Sequence, residues 1–214
     1  MMKTISFVLA SLVLASAPLA FGAPTFYTDS SVFDAITQIV VTEDFESVVP
    51  KNTALPSFTS NGITYVGLAG SPFANVWVAS AGYENFGVKP TTSSVLTANG
   101  NEDFSVVIQL SFPATAVAFD TYLNQYGPAT ITVKTAGGQT GQFVLSHDPT
   151  QIGFFGVTSS DPIASIQWTT VKGSLVNTGI DNVQVGYVVP APGALLLGAF
   201  GTGLVGYLRR RHAA

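Results

Sequence analysis

The chain has 214 residues, no cysteine and a net charge of −4 at pH 7. All twelve acidic residues lie between Asp29 and Asp181, where only four lysines oppose them, so this stretch carries −8. A field of that sign repels nucleic acid, and the lack of thiolates excludes cysteine-based redox enzymes and zinc fingers. Between the two hydrophobic ends, about 165 residues remain, the size of one ordinary domain that needs no disulfides, as in many bacterial exported proteins.

The N-terminal segment, residues 1–22, is predicted to be a secretory signal peptide. Lys3 supplies the positive start, residues 5–14 form the apolar stretch, and residues 20–22 provide a small-x-small cleavage site. We expect the cut after Gly22, because cuts after the neighbouring alanines would leave a proline in the next position. The alternative is a buried N-terminal helix of the domain.

The domain begins with the one segment that has a helical pattern, residues 31–37. Ser31 and Asp34 have the spacing of a short capping box, in which each side chain accepts a hydrogen bond from the other's backbone N–H. We therefore expect one short helix near the start of the domain.

The rest of the domain consists of short β-rich runs, in which β-branched and aromatic residues alternate with polar ones, as in residues 130–134. Turn signals such as Asn61-Gly62 and Gly137-Gly138 separate the runs. The candidate strands are 39–43, 63–66, 76–79, 94–97, 104–110, 116–122, 129–135, 142–145, 152–157, 163–170 and 180–186.

About eleven short strands without interleaved long helices favour two packed antiparallel sheets. A barrel is the alternative, and the absence of an evident repeat disfavours a propeller or a β-helix. The predicted fold class is all-β: a two-sheet antiparallel β-sandwich over residues 23–188, with a signal helix before it and a single transmembrane helix after it.

The C-terminal segment, residues 189–214, is predicted to anchor the chain in a membrane. Prolines end the last strand, and residues 194–208 then run without a charge up to three arginines. A helix over 193–208 would span about 24 Å at ~1.5 Å per residue, and snorkelling arginines would cover the deficit against a ~30 Å hydrocarbon core. Because the arginines stay cytoplasmic, the domain faces outward. The alternative is an ordinary weak membrane anchor.

This tail resembles the PEP-CTERM sorting signal of bacterial exopolysaccharide-associated proteins. The residues that carry the resemblance are Pro190, Ala191, Pro192, Gly193, Arg209, Arg210 and Arg211. The usual motif has glutamate between the prolines, where this chain has alanine. The resemblance implies recognition by an exosortase-type membrane protease, and delivery through a membrane-anchored intermediate to the cell surface or the extracellular matrix.

The passenger domain resembles β-sandwiches that precede such tails, and jelly-roll carbohydrate-binding modules share its outline. The segments that carry this resemblance are 43–46, 60–65, 116–120 and 179–183. In such modules the first and last strands lie side by side and frequently hold a structural calcium. Calcium takes six to eight oxygen ligands, and the residues best placed to supply them are Glu46 and Asp181. The alternative is that these carboxylates are solvated strand ends.

Aromatic rings in loops form a second candidate site, for carbohydrate binding. Tyr83, Phe86 and Tyr126 lie in loops that contain glycine and asparagine, where rings are available for stacking on sugars. The alternative is that these rings belong to the core.

Catalytic motifs are absent from the sequence. Ser146, His147 and Asp148 are neighbours, and successive strand residues point to opposite faces, so they do not form a local triad. We expect a non-enzymatic structural or adhesive protein associated with exopolysaccharide. The alternatives are a carbohydrate-binding module with a defined glycan ligand and a secreted hydrolase.

Overall fold

The computed structural model describes residues 23–68, 75–83, 86–98, 104–108, 112–125, 127–170 and 178–189. The predicted signal peptide, the predicted membrane helix and the arginine cluster lie outside the described residues. Within them the elements are β1 (Thr25–Tyr27), α1 (Ser30–Asp34), β2 (Thr37–Glu43), β3 (Ser57–Ser60), β4 (Ile63–Gly67), β5 (Val76–Ala79), β6 (Val95–Ala98), β7 (Phe104–Ile108), β8 (Ala116–Tyr122), β9 (Ala129–Thr135), β10 (Thr140–Leu145), β11 (Gly153–Thr158), β12 (Ile163–Thr169) and β13 (Gly179–Val188).

The strands form two antiparallel sheets. Sheet I has the order β1-β11-β8-β13-β6-β5, and β2 also pairs with β13. Sheet II has the order β10-β9-β12-β7-β4-β3. Every pairing between these strands is antiparallel. The prediction of an all-β protein with two antiparallel sheets is therefore confirmed.

The core lies between the two sheets and contains one residue of every two along the central strands. Phe155 of β11 stacks on Phe119 of β8 at a centroid distance of 5.0 Å, and it contacts Phe143 of β10 in the opposite sheet at 5.8 Å. Trp168 of β12 stacks on Phe104 of β7 at 5.8 Å. Aromatic burial on this scale explains how the domain holds together without disulfides.

Two short strands and the helix boundaries differ from the sequence-based expectations. β1 and β3 were not predicted, because each has at most four residues and neither contains a run of β-branched residues. The helix ends at Asp34, and Thr37 already belongs to β2, so the expected helix over 31–37 is too long. The capping-box expectation is wrong as well: the N-cap is Asp29, whose Oδ1 accepts a hydrogen bond from the Ser31 N–H at 2.8 Å.

Strand β13 has a register shift that shapes the middle of sheet I. Its pairing with β8 is interrupted between Asp181 and Gln184, where Asn182 has a left-handed backbone with φ of 49°. Asparagine tolerates this conformation better than most residues. Before the shift β13 pairs with β6, and after it with β2. The predicted side-by-side arrangement of the first long strand and the last strand is thus confirmed.

The outer face of sheet I is covered by two apolar clusters. Phe33 of α1 packs on Ala116 and Ala118 of β8 at one end. At the other end the loop between β5 and β6 places Phe86 against Tyr122. Because residues two apart on a strand share a face, Asp120 lies on this same outer face, between the two clusters.

Replacing the central ring of the core, by Phe155→Ala, should destabilise the domain by about 3–5 kcal/mol, because it deletes a fully buried aromatic side chain and leaves a cavity. Denaturant unfolding with linear extrapolation measures the loss. Val144→Ala, at a side chain that is 61% exposed on β10, is the matched control and should change stability by less than ~0.5 kcal/mol. Equal effects of the two variants would contradict the assigned core.

Candidate functional site

The acidic seam of sheet I, which we define as Asp120 and Asp181, brings two carboxylates together on adjacent strands. Their Cα atoms are register partners in the pairing of β8 with β13. Asn182, at the register shift, serves both: its Nδ2 donates to Asp120 Oδ2 at 2.7 Å, and its backbone N–H donates to Asp181 Oδ1 at 2.6 Å. The backbone irregularity therefore supplies the donors that allow two like charges to lie side by side.

Asp181 is fully buried beneath the loop that leads into β6. Ser93 of that loop donates from Oγ to Asp181 Oδ2 at 2.5 Å, and Ser93 also bonds to the side chain of Tyr122. Burial raises the pKa of Asp181 to about 6, with smaller contributions in the same direction from the charges of Asp120 and Glu46. Burial also raises the pKa of Asp120, against the lowering effect of its hydrogen bond from Asn182. These are desolvated carboxylates held by neutral donors.

Glu46 lies near the seam but has different partners. Its Oε2 accepts from Lys51 Nζ at 2.9 Å, and its Oε1 accepts from the Ser94 backbone N–H at 2.7 Å. The hydrogen bond from Lys51 is the main cause that lowers the pKa of Glu46, followed by the bond from Ser94. Its side chain is 47% exposed, so this ion pair contributes little to stability.

The structure brings the predicted calcium pair, Glu46 and Asp181, to neighbouring positions, since they bond to the adjacent Ser94 and Ser93. Both carboxylates have protein partners there: Glu46 pairs with the Lys51 ammonium, and each oxygen of Asp181 accepts one hydrogen bond. A calcium site at this pair stays a prediction. In the described part of the chain, no group of three or more acidic or histidine side chains could hold a metal ion.

The other carboxylates near the predicted pair are also bound by protein donors. Glu43 is buried and accepts from the Phe45 N–H at 2.8 Å and from Asn61 Nδ2 at 2.9 Å. Asp44, on the exposed side, accepts from the Glu46 N–H at 3.0 Å. Glu43 is thus buried and Asp44 exposed at the end of β2.

The predicted carbohydrate-binding rings do not form one exposed platform. Phe86 is fully buried and contacts Tyr122, which corrects the expectation that it lies at the surface. Tyr83 is half-buried, with ring edges packed against Trp77 and Phe86 at 5.4 and 5.6 Å. The physical reason is that the loop folds back onto sheet I and buries its rings there. Tyr126 lies outside the described residues.

The polar turn at residues 146–148 has no catalytic geometry. His147 Nε2 bonds to Thr121 Oγ1 at 3.0 Å, and its Nδ1 bonds to the backbone oxygen of Asp148 at 2.9 Å. The Asp148 carboxylate accepts from the backbone and hydroxyl of Thr150 instead. The Asp148 carboxylate therefore does not accept a hydrogen bond from the His147 ring in this turn.

Sequence reasoning missed the central role of Asp120, Ser93 and Asn182. Asp120 follows an apolar run, Ala-Val-Ala-Phe, on a predicted strand, and a charged residue there is unusual enough to be a signal. The donors of the two seam carboxylates were not visible in the sequence, because Ser93 reaches Asp181 through a loop and Asn182 reaches both carboxylates through a register shift that no local pattern predicts.

No protein-family profile and no curated protein matches the chain. Among solved structures, it is similar to the K2 cleaved adhesin domain of Lys-gingipain, at 14% identity over 68% of this chain and 96% of that one, with a TM-score of 0.44. The K3 adhesin domain from Porphyromonas gingivalis has 15% identity, coverage of 70% and 99%, and a TM-score of 0.38. A family 11 carbohydrate-binding module of Clostridium thermocellum has 13% identity, coverage of 73% and 97%, and a TM-score of 0.31. All three TM-scores lie below 0.5.

Asp181→Asn should change the pH dependence of stability. The pKa of Asp181 in the folded state, about 6, lies above its usual value of 3.8, so protonation favours the folded protein. The stabilisation is complete below about pH 4 and is lost as the pH rises through 6. Asparagine is neutral throughout, so we expect the variant to match the wild type near pH 4 and to exceed it at pH 7 by on the order of 2–3 kcal/mol.

Chemical denaturation of both proteins from pH 4 to pH 8 measures this difference. Stability curves that run parallel across the range would show that Asp181 keeps an ordinary pKa in the folded domain.

Calcium should leave the thermal unfolding midpoint unchanged, because Lys51 and neutral donors already occupy the predicted ligands. The measurement is a pair of melts, one in millimolar calcium and one in chelator; a bound ion would raise the midpoint. Lys51→Met is the companion variant for the same two melts, because it removes the ammonium group that pairs with Glu46. A calcium-dependent rise in the wild type would support the predicted calcium site.

Proposed function

We propose that this chain is an exported, non-enzymatic protein of the bacterial cell surface or extracellular matrix, sorted by an exosortase-type protease and acting as a structural or adhesive component associated with exopolysaccharide. The structural observation that supports the proposal is that the first and the last described residues of the domain lie close together. Both predicted membrane-directed segments continue from the same end of the sandwich.

The start and the end of the described domain meet around one cavity of about 310 Å³. Ala23 and Thr25 line it from the N-terminal side, and Val188 of β13 lines it from the other. Thr25 pairs with Thr158 in the register of β1 and β11, and the Val188 N–H donates to Thr115 Oγ1 at 3.1 Å. The last described residue, Val189, donates its N–H to Ile36 O at 2.8 Å.

This arrangement suits a domain delivered at a membrane. Residues 190–193 are the only link between Val189 and the uncharged stretch, and four extended residues span at most about 14 Å. The tail would therefore hold this end of the sandwich close to the lipid surface until it is cleaved. The described residues contain no helix with the length and apolar character of a membrane span, and residues 194–208 lie outside them.

The structure of the acidic seam supports a non-enzymatic role. Glycoside hydrolysis uses two carboxylates that flank the scissile bond. Asp181 is fully buried, so the seam does not present both of its carboxylates to a substrate. His147 is held between the Thr121 hydroxyl and the backbone oxygen of Asp148, and the Asp148 carboxylate bonds to Thr150 and not to the imidazole.

The proposal predicts that the arginine cluster is needed for sorting. Replacing Arg209, Arg210 and Arg211 with glutamine removes the charge that keeps the C-terminus cytoplasmic, so processing of the tail should fail. The triple lysine variant keeps the charge and is the matched control for membrane orientation. Cell fractionation and the intact mass of the product measure the outcome.

For the wild type we expect a mature protein that starts at Ala23 and has lost the residues beyond the proline motif. A full-length product in the cytosol, with both ends intact, would refute the proposal. Efficient processing of the glutamine variant would refute the role of the arginines.

A further inference from the structure

An open groove of about 460 Å³ lies beside α1 on the outer face of sheet I. Its side-chain lining comes from three elements that the chain brings together, namely the turn before α1, the middle of β8 and the start of β11. The lining side chains are Thr28, Asp29, Ser30, Asp120, Ile152 and Phe154. None of them belongs to the aromatic set or the calcium pair that the sequence predicted.

The groove exists because the two covers of sheet I do not meet. The α1 cluster ends at Phe33 and Phe154, whose rings are 5.8 Å apart. The loop cluster begins at Tyr122, two residues beyond Asp120 on the same face of β8. The loop before β6 therefore covers Asp181, whereas Asp120 is only partly buried and lines the open groove.

Polar groups in the groove are fixed before any ligand arrives. Asn182 Nδ2 binds Asp120 Oδ2 at 2.7 Å and sets the orientation of the carboxylate. A carboxylate has lone pairs for about four hydrogen bonds, so Asp120 keeps acceptor capacity towards the groove. Asp29 is held in the same way by the backbone and hydroxyl of Ser31, at 2.8 and 2.7 Å.

An apolar surface accompanies these acceptors. Phe154 is half-buried and is backed by Phe33, which limits the movement of its ring. Ile152, at the rim, has 48% of its surface exposed. A sugar ring offers apolar C–H faces and several hydroxyl donors, and it matches a groove with rigid acceptors beside a fixed apolar wall.

The charge of the groove narrows the ligand class. Its two ionisable side chains, Asp29 and Asp120, are both acidic. The hydrogen bonds from the hydroxyl and the backbone N–H of Ser31 lower the pKa of Asp29, so this carboxylate is ionised at neutral pH. Uronates and sulfated sugars would meet repulsion from this site and from the acidic domain around it. Neutral sugars would meet none.

We propose that this groove binds a neutral polysaccharide, with Asp120 as the central hydrogen-bond acceptor and with Phe154 and Ile152 as the apolar wall. The inference deepens the proposed function, because it identifies the surface through which an exported matrix protein would hold exopolysaccharide.

Affinity electrophoresis of the exported protein, purified as the cell releases it, tests the site. The probes are soluble β-glucan, galactan and xylan as neutral polymers and alginate as the acidic one. We expect retardation by at least one neutral polymer and none by alginate. Ile152→Arg fills the rim of the groove, and Asp120→Asn removes the charge of the acceptor; each should weaken retardation at least tenfold.

Val144→Arg is the matched control, because it adds the same charged side chain at an exposed apolar position of β10 in sheet II. It should bind like the wild type, and thermal melts should show that all three variants fold. The inference is overturned if no neutral polymer retards the wild type, or if Ile152→Arg binds as well as Val144→Arg. Correct processing of the tail together with absent binding would overturn the groove and leave the proposed sorting intact. Polysaccharide binding by a protein that is never exported would refute the proposed sorting and leave the groove intact.

Discussion

Strand β13 is the constraint on which the rest of the structure depends, because it joins three other strands of sheet I. It pairs with β8 on both sides of its register shift, and at the shift its other neighbour changes from β6 to β2. This change of neighbour places the last strand beside the first long strand, so segments from both ends of the sequence meet in sheet I. It also leaves Asn182 in a left-handed conformation, where its backbone N–H and side-chain amide face the seam. The strand order of sheet I and the acidic seam both depend on this strand.

The acidic seam shows how the structure accommodates a group that opposes burial. Asp181 is fully buried, and a desolvated carboxylate carries a large free-energy cost unless donors surround it. Ser93 and Asn182 supply those donors, and the raised pKa records the cost that remains. The same bonds tie the loop before β6 to the sheet. Where the loop cover ends, Asp120 is left half-exposed, so a structural network and an accessible groove share one pair of strands.

The sequence predicted the strands well where their pattern was strong and long. Residues 116–122 and 129–135 have the bounds of β8 and β9, because each is a long strand-like run between turn signals. In β9 the alternation also identifies the buried face, whereas β8 is buried on both faces. The Asn61-Gly62 turn joins β3 to β4 with positive φ at both residues, as this dipeptide predicts. The helix was predicted too long, because tertiary pairing with β13 draws Thr37 into a strand. Phe86 was placed at the surface because its loop is polar, yet the rings of β5 and β8 provide a surface that buries it.

By itself, the sequence determined the all-β class, the acidic charge of the domain and the uncharged stretch with its basic cap, because each is a property of composition or of local periodicity. Only the tertiary structure decided which carboxylates share a site. Glu46 has its own lysine, Asp181 is buried beneath Ser93, and Asp120 opens into a groove. The physical reason is that hydrogen-bond partners from distant strands and loops determine the burial and charge of a carboxylate, and the spacing of residues along the chain does not contain those partners.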